Sequence, residues 1–152
     1  MSEPIIMAGQ PVAAKIRREL QEKFQGRKVT LATFLVGNDA AAQVYKRSLL
    51  KTAASLGIQT REVVLPQETT QEEANRAMDQ LSADPSVTGI LLLVPLPHQI
   101  DRIALLAHMD PDKDMDCIHP LNSAIFMWAP VLGLLVRPEP AWPFWTITRC
   151  PW

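Results

Sequence analysis

Four aspartates stand at alternate positions, Asp110, Asp112, Asp114 and Asp116, with Lys113 among them. Acidic residues at this spacing begin a calcium loop, but that loop also needs glycine at its sixth position and glutamate at its twelfth. Those places hold Met115 and Leu121, so the segment is not read as a calcium site. His98, His108 and His119 have no HxxxH spacing, and Cys117 and Cys150 form no CxxC pair. No metal site is expected from them, because a zinc site needs ligands at such intervals. Two residues could meet an organic ligand. Tyr45 offers a flat aromatic face with a hydroxyl at its edge, and taken alone it is equally a half-buried packing residue. Asp116 can accept two hydrogen bonds from adjacent N–H groups of a heterocycle, and taken alone it is equally a loop cap.

The elements that would position these residues follow from periodicity. Val12, Ile16, Leu20 and Phe24 recur every four residues and predict a core-facing helix, with Pro11 in its first turn and Gly26 as its stop. Val29 to Val36, VTLATFLV, predicts a strand covered on both faces. Gly37 turns the chain, and Asn38 or Asp39 can cap a helix running to about Leu56, with Gly57 beyond it. Ile58 to Leu65 predicts a second, shorter strand. Thr70-x-x-Glu73 is a capping box, followed by Ala74, Met78 and Leu81 on one helical face and closed by Asp84-Pro85. Val87 to Val94, VTGILLLV, is read as a central parallel strand ended by Pro95-Leu96-Pro97. Asp101 can cap a short helix with Ile103 and Leu106 inward.

Strand, helix, strand, helix, strand, helix predicts an α/β fold: a three-layer αβα domain with a mainly parallel sheet. The tips after Val36 and Val94 should then share one edge of the sheet. Ligands collect at the carboxyl ends of such strands, so a crevice between those tips is the expected site.

The totals narrow the function. The chain has 152 residues, enough for one domain and too few for two full ones. A net charge of −1 without a Lys/Arg block leaves no nucleic-acid footprint. The first nine residues lack a basic start followed by an apolar run, so no signal peptide is expected and a cytoplasmic setting is the default. The six glycines, Gly9, Gly26, Gly37, Gly57, Gly89 and Gly133, contain no GxGxxG phosphate loop. No cofactor-binding residues are therefore expected on this chain.

Three motifs, VGND with QVY, ADPSVTGILLLVPLP and DKDMDCIHPLN, occur in this order between about Ile5 and Asn122. In these the chain resembles the amino-terminal catalytic domain of the bifunctional methylenetetrahydrofolate dehydrogenase/cyclohydrolase family. The resemblance implies oxidation of 5,10-methylenetetrahydrofolate with NADP or NAD, followed by hydrolysis of the methenyl product. It implies a tetrahydrofolate-type ligand stacked on Tyr45 and held at its pterin amino edge by Asp116. It also marks departures. The family's acid/base lysine, four residues after the tyrosine, falls at Leu49, and the glutamine that partners it falls at Leu93. The family glycine after the aspartate is Cys117, and a serine common before the tyrosine is Ala42. Leucine can neither exchange a proton nor polarise water. Lys51 lies about 240° around the helix from Tyr45, whereas Lys46 lies about 60° from Leu49 and could lean across.

By the same resemblance the family's Rossmann cofactor domain is expected to be missing from these residues, and residues 1–122 are expected as the catalytic domain. Residues 123–152 are expected as a divergent tail. All four tryptophans lie in the last 25 residues, and no helical or alternating period is evident there. A frameshifted gene end, a divergent surface tail and a membrane-associating segment remain open for it. Ala124 to Val136 is interrupted by Pro130 and Gly133 and falls short of the roughly 20 apolar residues that span a bilayer. The functional expectation is folate-dependent one-carbon interconversion, impaired by Leu49 and Leu93. The alternative is a non-catalytic remnant that binds folate or pairs with a full-length homologue. A homodimer is a further expected form of association.

Overall fold

The structure is a computed structural model that describes residues 9–128. Its order of elements is α1 (Gly9–Phe24), β1 (Thr30–Val36), α2 (Ala40–Ser55), β2 (Gln59–Leu65), α3 (Gln71–Ala83), β3 (Gly89–Leu92), α4 (Arg102–Leu106), a 3-10 turn (Pro111–Lys113) and α5 (Pro120–Trp128). The three strands form one parallel sheet in the order β2-β1-β3. Parallel pairing requires crossovers, and α2 and α3 supply them. Among the described residues this is the expected α/β fold.

Alternation along β1 builds two cores. Ala32, Phe34 and Val36 face Met78 and Leu81 of α3 and Leu105 of α4. Leu35 faces the other way, onto Ala42 of α2 and Leu93. Helices thus cover both faces, and β1 is buried along nearly its whole length. Thr33 lies fully buried on the Leu35 side, and among the described residues its hydroxyl has no hydrogen-bond partner.

Local chemistry sets the helix starts. The Asp39 carboxylate accepts the Ala42 N–H at 2.8 Å and caps α2. Thr70 and Glu73 close the capping box of α3, and the Thr70 N–H donates to Glu73 at 2.9 Å. Asp101 caps α4 through the Ala104 N–H, also at 2.8 Å.

Three expectations are corrected. Among the described residues the strand read as central, β3, has β1 as its one full neighbour, and β1 occupies the centre. The apolarity of Gly89–Leu92 comes from burial under α3, α4 and the 3-10 turn, not from two flanking strands. In α1 the stripe forms but is not covered among the described residues: Val12 is 60% and Ile16 42% exposed, and of the helix Phe24 is the buried residue. In α4, Leu105 and Leu106 point inward while Ile103 is 67% exposed. A helix of five residues has about one and a half turns, so its inward pair is set by how α4 lies against α3.

The boundary expected at residue 122 falls inside α5. The tail from residue 129 onward lies outside the described residues. Among the described residues no helix is long and apolar enough to cross a membrane.

Candidate functional site

The carboxyl ends of β1 and β3 meet as the sheet topology demands. Gly37 takes φ +89°, a conformation that glycine adopts without strain. A Cβ there would strike the Gln67 side chain and lie 3.7 Å from Cγ of Pro97. The tips after β1, β2 and β3 are therefore packed against one another. Gln99 ties them further, donating from Nε2 to the Gln67 carbonyl at 2.6 Å. The Val94–Pro95 peptide in this region is cis.

Around these tips lie the residues singled out from sequence. Tyr45 stands in the second turn of α2, and 58% of it is exposed, so its ring is open to a ligand. Leu49 follows one turn later and is half-buried. Leu93 directly follows β3. Its N–H donates to the Phe34 carbonyl at 2.9 Å, and its side chain, 3% exposed, packs with Leu35 and Ala42. The Leu93 position is thus an apolar one, and Ala42, where the resemblance implies a serine, helps to make it so. Lys46 does not lean toward Leu49. Its ammonium meets the Glu62 carboxylate of β2 at 2.7 Å, with the lysine side chain largely buried.

Asp116 is set by the loop between the 3-10 turn and α5. Ile90 of β3 bridges in parallel to Asp114, and the Met115 N–H donates to the Ile90 carbonyl at 3.3 Å. This docks the loop along the outer side of β3. The Asp116 residue surface is exposed, yet burial of its carboxyl raises the pKa above the usual aspartate value, and the Asp114 charge raises it further. Cys117 takes φ +59°, the left-handed region that disfavours a side chain and suits the glycine expected there.

Sequence reasoning missed the groups that hold this loop. Asp114 accepts three hydrogen bonds, from the N–H of Asp116 (3.2 Å), the N–H of His119 (2.9 Å) and Nδ2 of Asn122 (3.0 Å). Lys113 donates to the carbonyls of Ser82 and Asp84, both at 2.7 Å, at the end of α3. Asp110 accepts the Asp112 N–H at 2.9 Å. Asp110 and Asp114 are turn acceptors, and among the described residues no group of three or more His, Cys, Asp or Glu could hold a metal ion. The DxD alternation was visible in the sequence, since short acidic side chains favour such turns. The partners at His119 and Asn122 were not.

An apolar recess lined by Val29, Leu31, Ile58, Leu91 and Met115 opens elsewhere, at the amino end of the sheet. It is remote from the strand tips, and the polar side chains lining it are two threonines, so it supplies no acid, base or charge.

Residues 7–116 match the family described as tetrahydrofolate dehydrogenase/cyclohydrolase, catalytic domain. The bifunctional protein FolD of Acetivibrio thermocellus is 38% identical over 125 residues, which cover 79% of this chain and 44% of that protein. The crystal structure of the Campylobacter jejuni bifunctional enzyme FolD, methylenetetrahydrofolate dehydrogenase/cyclohydrolase, superposes with TM-score 0.72 at 35% identity, covering 77% of this chain and 43% of that one. The Trypanosoma brucei enzyme, complexed with NADP cofactor and inhibitor, does so with TM-score 0.72 at 30% identity, covering 88% and 54%. The chain spans about half the length of the relatives it matches.

Proposed function

Because the chain belongs to the tetrahydrofolate dehydrogenase/cyclohydrolase catalytic-domain family, we propose that it is a tetrahydrofolate-binding domain whose one-carbon chemistry is impaired. Tyr45 provides the stacking face, and Asp116 accepts from the amino edge of the pterin. The proton chemistry has no carrier, for Leu49 and Leu93 stand where the resemblance puts a lysine and a glutamine. The observation that carries this reading is the fate of the remaining amine. Lys46 is committed to Glu62 at 2.7 Å, on the β2 side of α2. Leu93 closes an apolar cluster with Leu35 and Ala42.

Relatives use NADP, as in the Trypanosoma brucei complex, and the wider family NADP or NAD. The six glycines of the 152 residues never take the phosphate-loop spacing, and this reading names no cofactor-binding residue among them. No hydride step is assigned to this chain. A cytoplasmic setting and residues 1–122 as the functional unit belong to the same proposal. The exposed Val12 and Ile16 of α1 favour a second role, pairing with another copy or with a full-length homologue.

The test is methenyltetrahydrofolate hydrolysis by the natural chain and by the Leu49→Lys/Leu93→Gln double variant, with tetrahydrofolate binding followed by intrinsic fluorescence. Binding with hydrolysis near the uncatalysed rate is expected, together with a gain in the double variant. Turnover by the natural chain well above the uncatalysed rate would refute the impairment, and absence of binding would refute the ligand.

A further inference from the structure

The loop that presents Asp116 makes few backbone hydrogen bonds. Between Met115 and Ile118 the chain is neither strand nor helix, and Cys117 holds a left-handed conformation. An ordered carboxylate in such a segment needs an external organiser. We propose that Asp114 is the positioning residue of this site: its carboxylate gathers the loop onto α5 and so fixes where Asp116 presents its own. What Asp116 binds rests on the tetrahydrofolate reading above; how it is held does not.

Three contacts converge on Asp114. Oδ1 accepts the Asp116 N–H at 3.2 Å. Oδ2 accepts both the His119 N–H at 2.9 Å and Asn122 Nδ2 at 3.0 Å. One side chain thereby joins the residue it positions to the first turn of α5. Each neighbour is itself anchored. Asn122 Nδ2 also donates to the Pro111 carbonyl at 2.7 Å, closing the loop back on the 3-10 turn. The Ser123 hydroxyl donates to the Cys117 carbonyl at 2.8 Å. On the entry side, Lys113 is fixed to the end of α3 and Asp114 to Ile90 of β3. The loop is thus clamped on both sides of Asp116, and Asp114 belongs to both clamps. Hydrogen bonds to a charged acceptor are the stronger kind, and loss of this one side chain would release three donors together.

The experiment combines amide exchange with a double-mutant cycle on the full 152-residue chain. In Asp114→Ala, exchange at the Asp116 and His119 amides should quicken about tenfold or more, while the β1 amides of Phe34 and Leu35 stay unchanged. Tetrahydrofolate, the probe, should bind about tenfold more weakly, the loss expected for one charge-assisted contact. On an Asp116→Ala background the same change should have no further effect on binding, because a positioning residue acts through the group it positions. Should Asp114→Ala fail to fold, Asn122→Ala cuts one arm of the clamp and should quicken the same two amides. Unchanged loop amides would overturn the proposal, as would additive losses from Asp114→Ala and Asp116→Ala. If the natural chain binds no tetrahydrofolate, the ligand reading fails, and the exchange rates alone decide the role of Asp114.

Discussion

Thr33→Val should stabilise the protein. Thr33 sits at the middle of the central strand, fully buried, and its hydroxyl has no partner among the described residues. In the unfolded chain that hydroxyl is hydrogen-bonded to water, so folding removes it from a partner and returns none. An unsatisfied buried group costs about 1–3 kcal/mol. Valine has nearly the same shape, keeps the β-branched geometry that strands favour, and replaces the hydroxyl with a methyl of favourable transfer free energy, about 0.8 kcal/mol. Leu31 and Leu35 on the same strand face supply apolar surroundings for it. The expected gain is about 1–3 kcal/mol, read from urea denaturation as a higher midpoint with an unchanged slope. A loss of stability of about 1 kcal/mol or more would refute the reasoning, because the hydroxyl would then have a partner that valine removes.

Three further outcomes are expected. Cys117→Gly should stabilise by about 0.5–1 kcal/mol, since relief of a left-handed side-chain conformation, about 1–2 kcal/mol, exceeds the added chain entropy of glycine; thermal melting of both proteins under reducing conditions checks it. Asp84 is held down to about 2 by the Ser86 hydroxyl and N–H and then by the Arg61 guanidinium; a lowered carboxylate stabilises above its ordinary value near 3.8 and loses that contribution as pH falls toward 2. Asp84→Asn should therefore flatten the decline in melting temperature between about pH 4 and pH 2 while lowering stability at neutral pH. Asp116 has the opposite sign, because its raised value means the folded state holds the proton more tightly and the charged form costs stability above that pH. Asp116→Asn should raise the melting temperature at neutral pH and weaken tetrahydrofolate binding, and a fall in melting temperature would contradict the burial argument.

Local chemistry was legible without the structure. The Thr70–Glu73 capping box, the Asp39 and Asp101 caps and the turn at Gly37 all depend on residues within a few positions of one another. The placement of strand tips at one edge followed from right-handed crossovers, and Gly37 beside Pro97 bears it out. The family resemblance singled out Tyr45, Leu49, Leu93 and Asp116, and Leu93 packed against Leu35 and Ala42 makes physical sense of an apolar residue there.

What periodicity leaves open is which neighbour covers an apolar face. The stripe through Val12 and Ile16 specifies a helix, yet nothing local states whether a partner lies against it, and among the described residues it is exposed. The run at Gly89–Leu92 specifies burial but not strand order, because helices and a turn bury a strand as completely as two neighbours do. The loop at Asp116 shows the same division. Its alternating aspartates announce a turn, since short carboxylates accept nearby N–H groups wherever they stand. That Asp114 reaches His119 and Asn122, that Lys113 reaches the end of α3, and that Ile90 docks the loop are contacts between segments distant in the chain or on either side of a turn. Sequence determined the residue types available to this protein's site; the packing of β3, α3 and α5 decided which of them hold Asp116 in place, because hydrogen-bond geometry exists only after those elements have met.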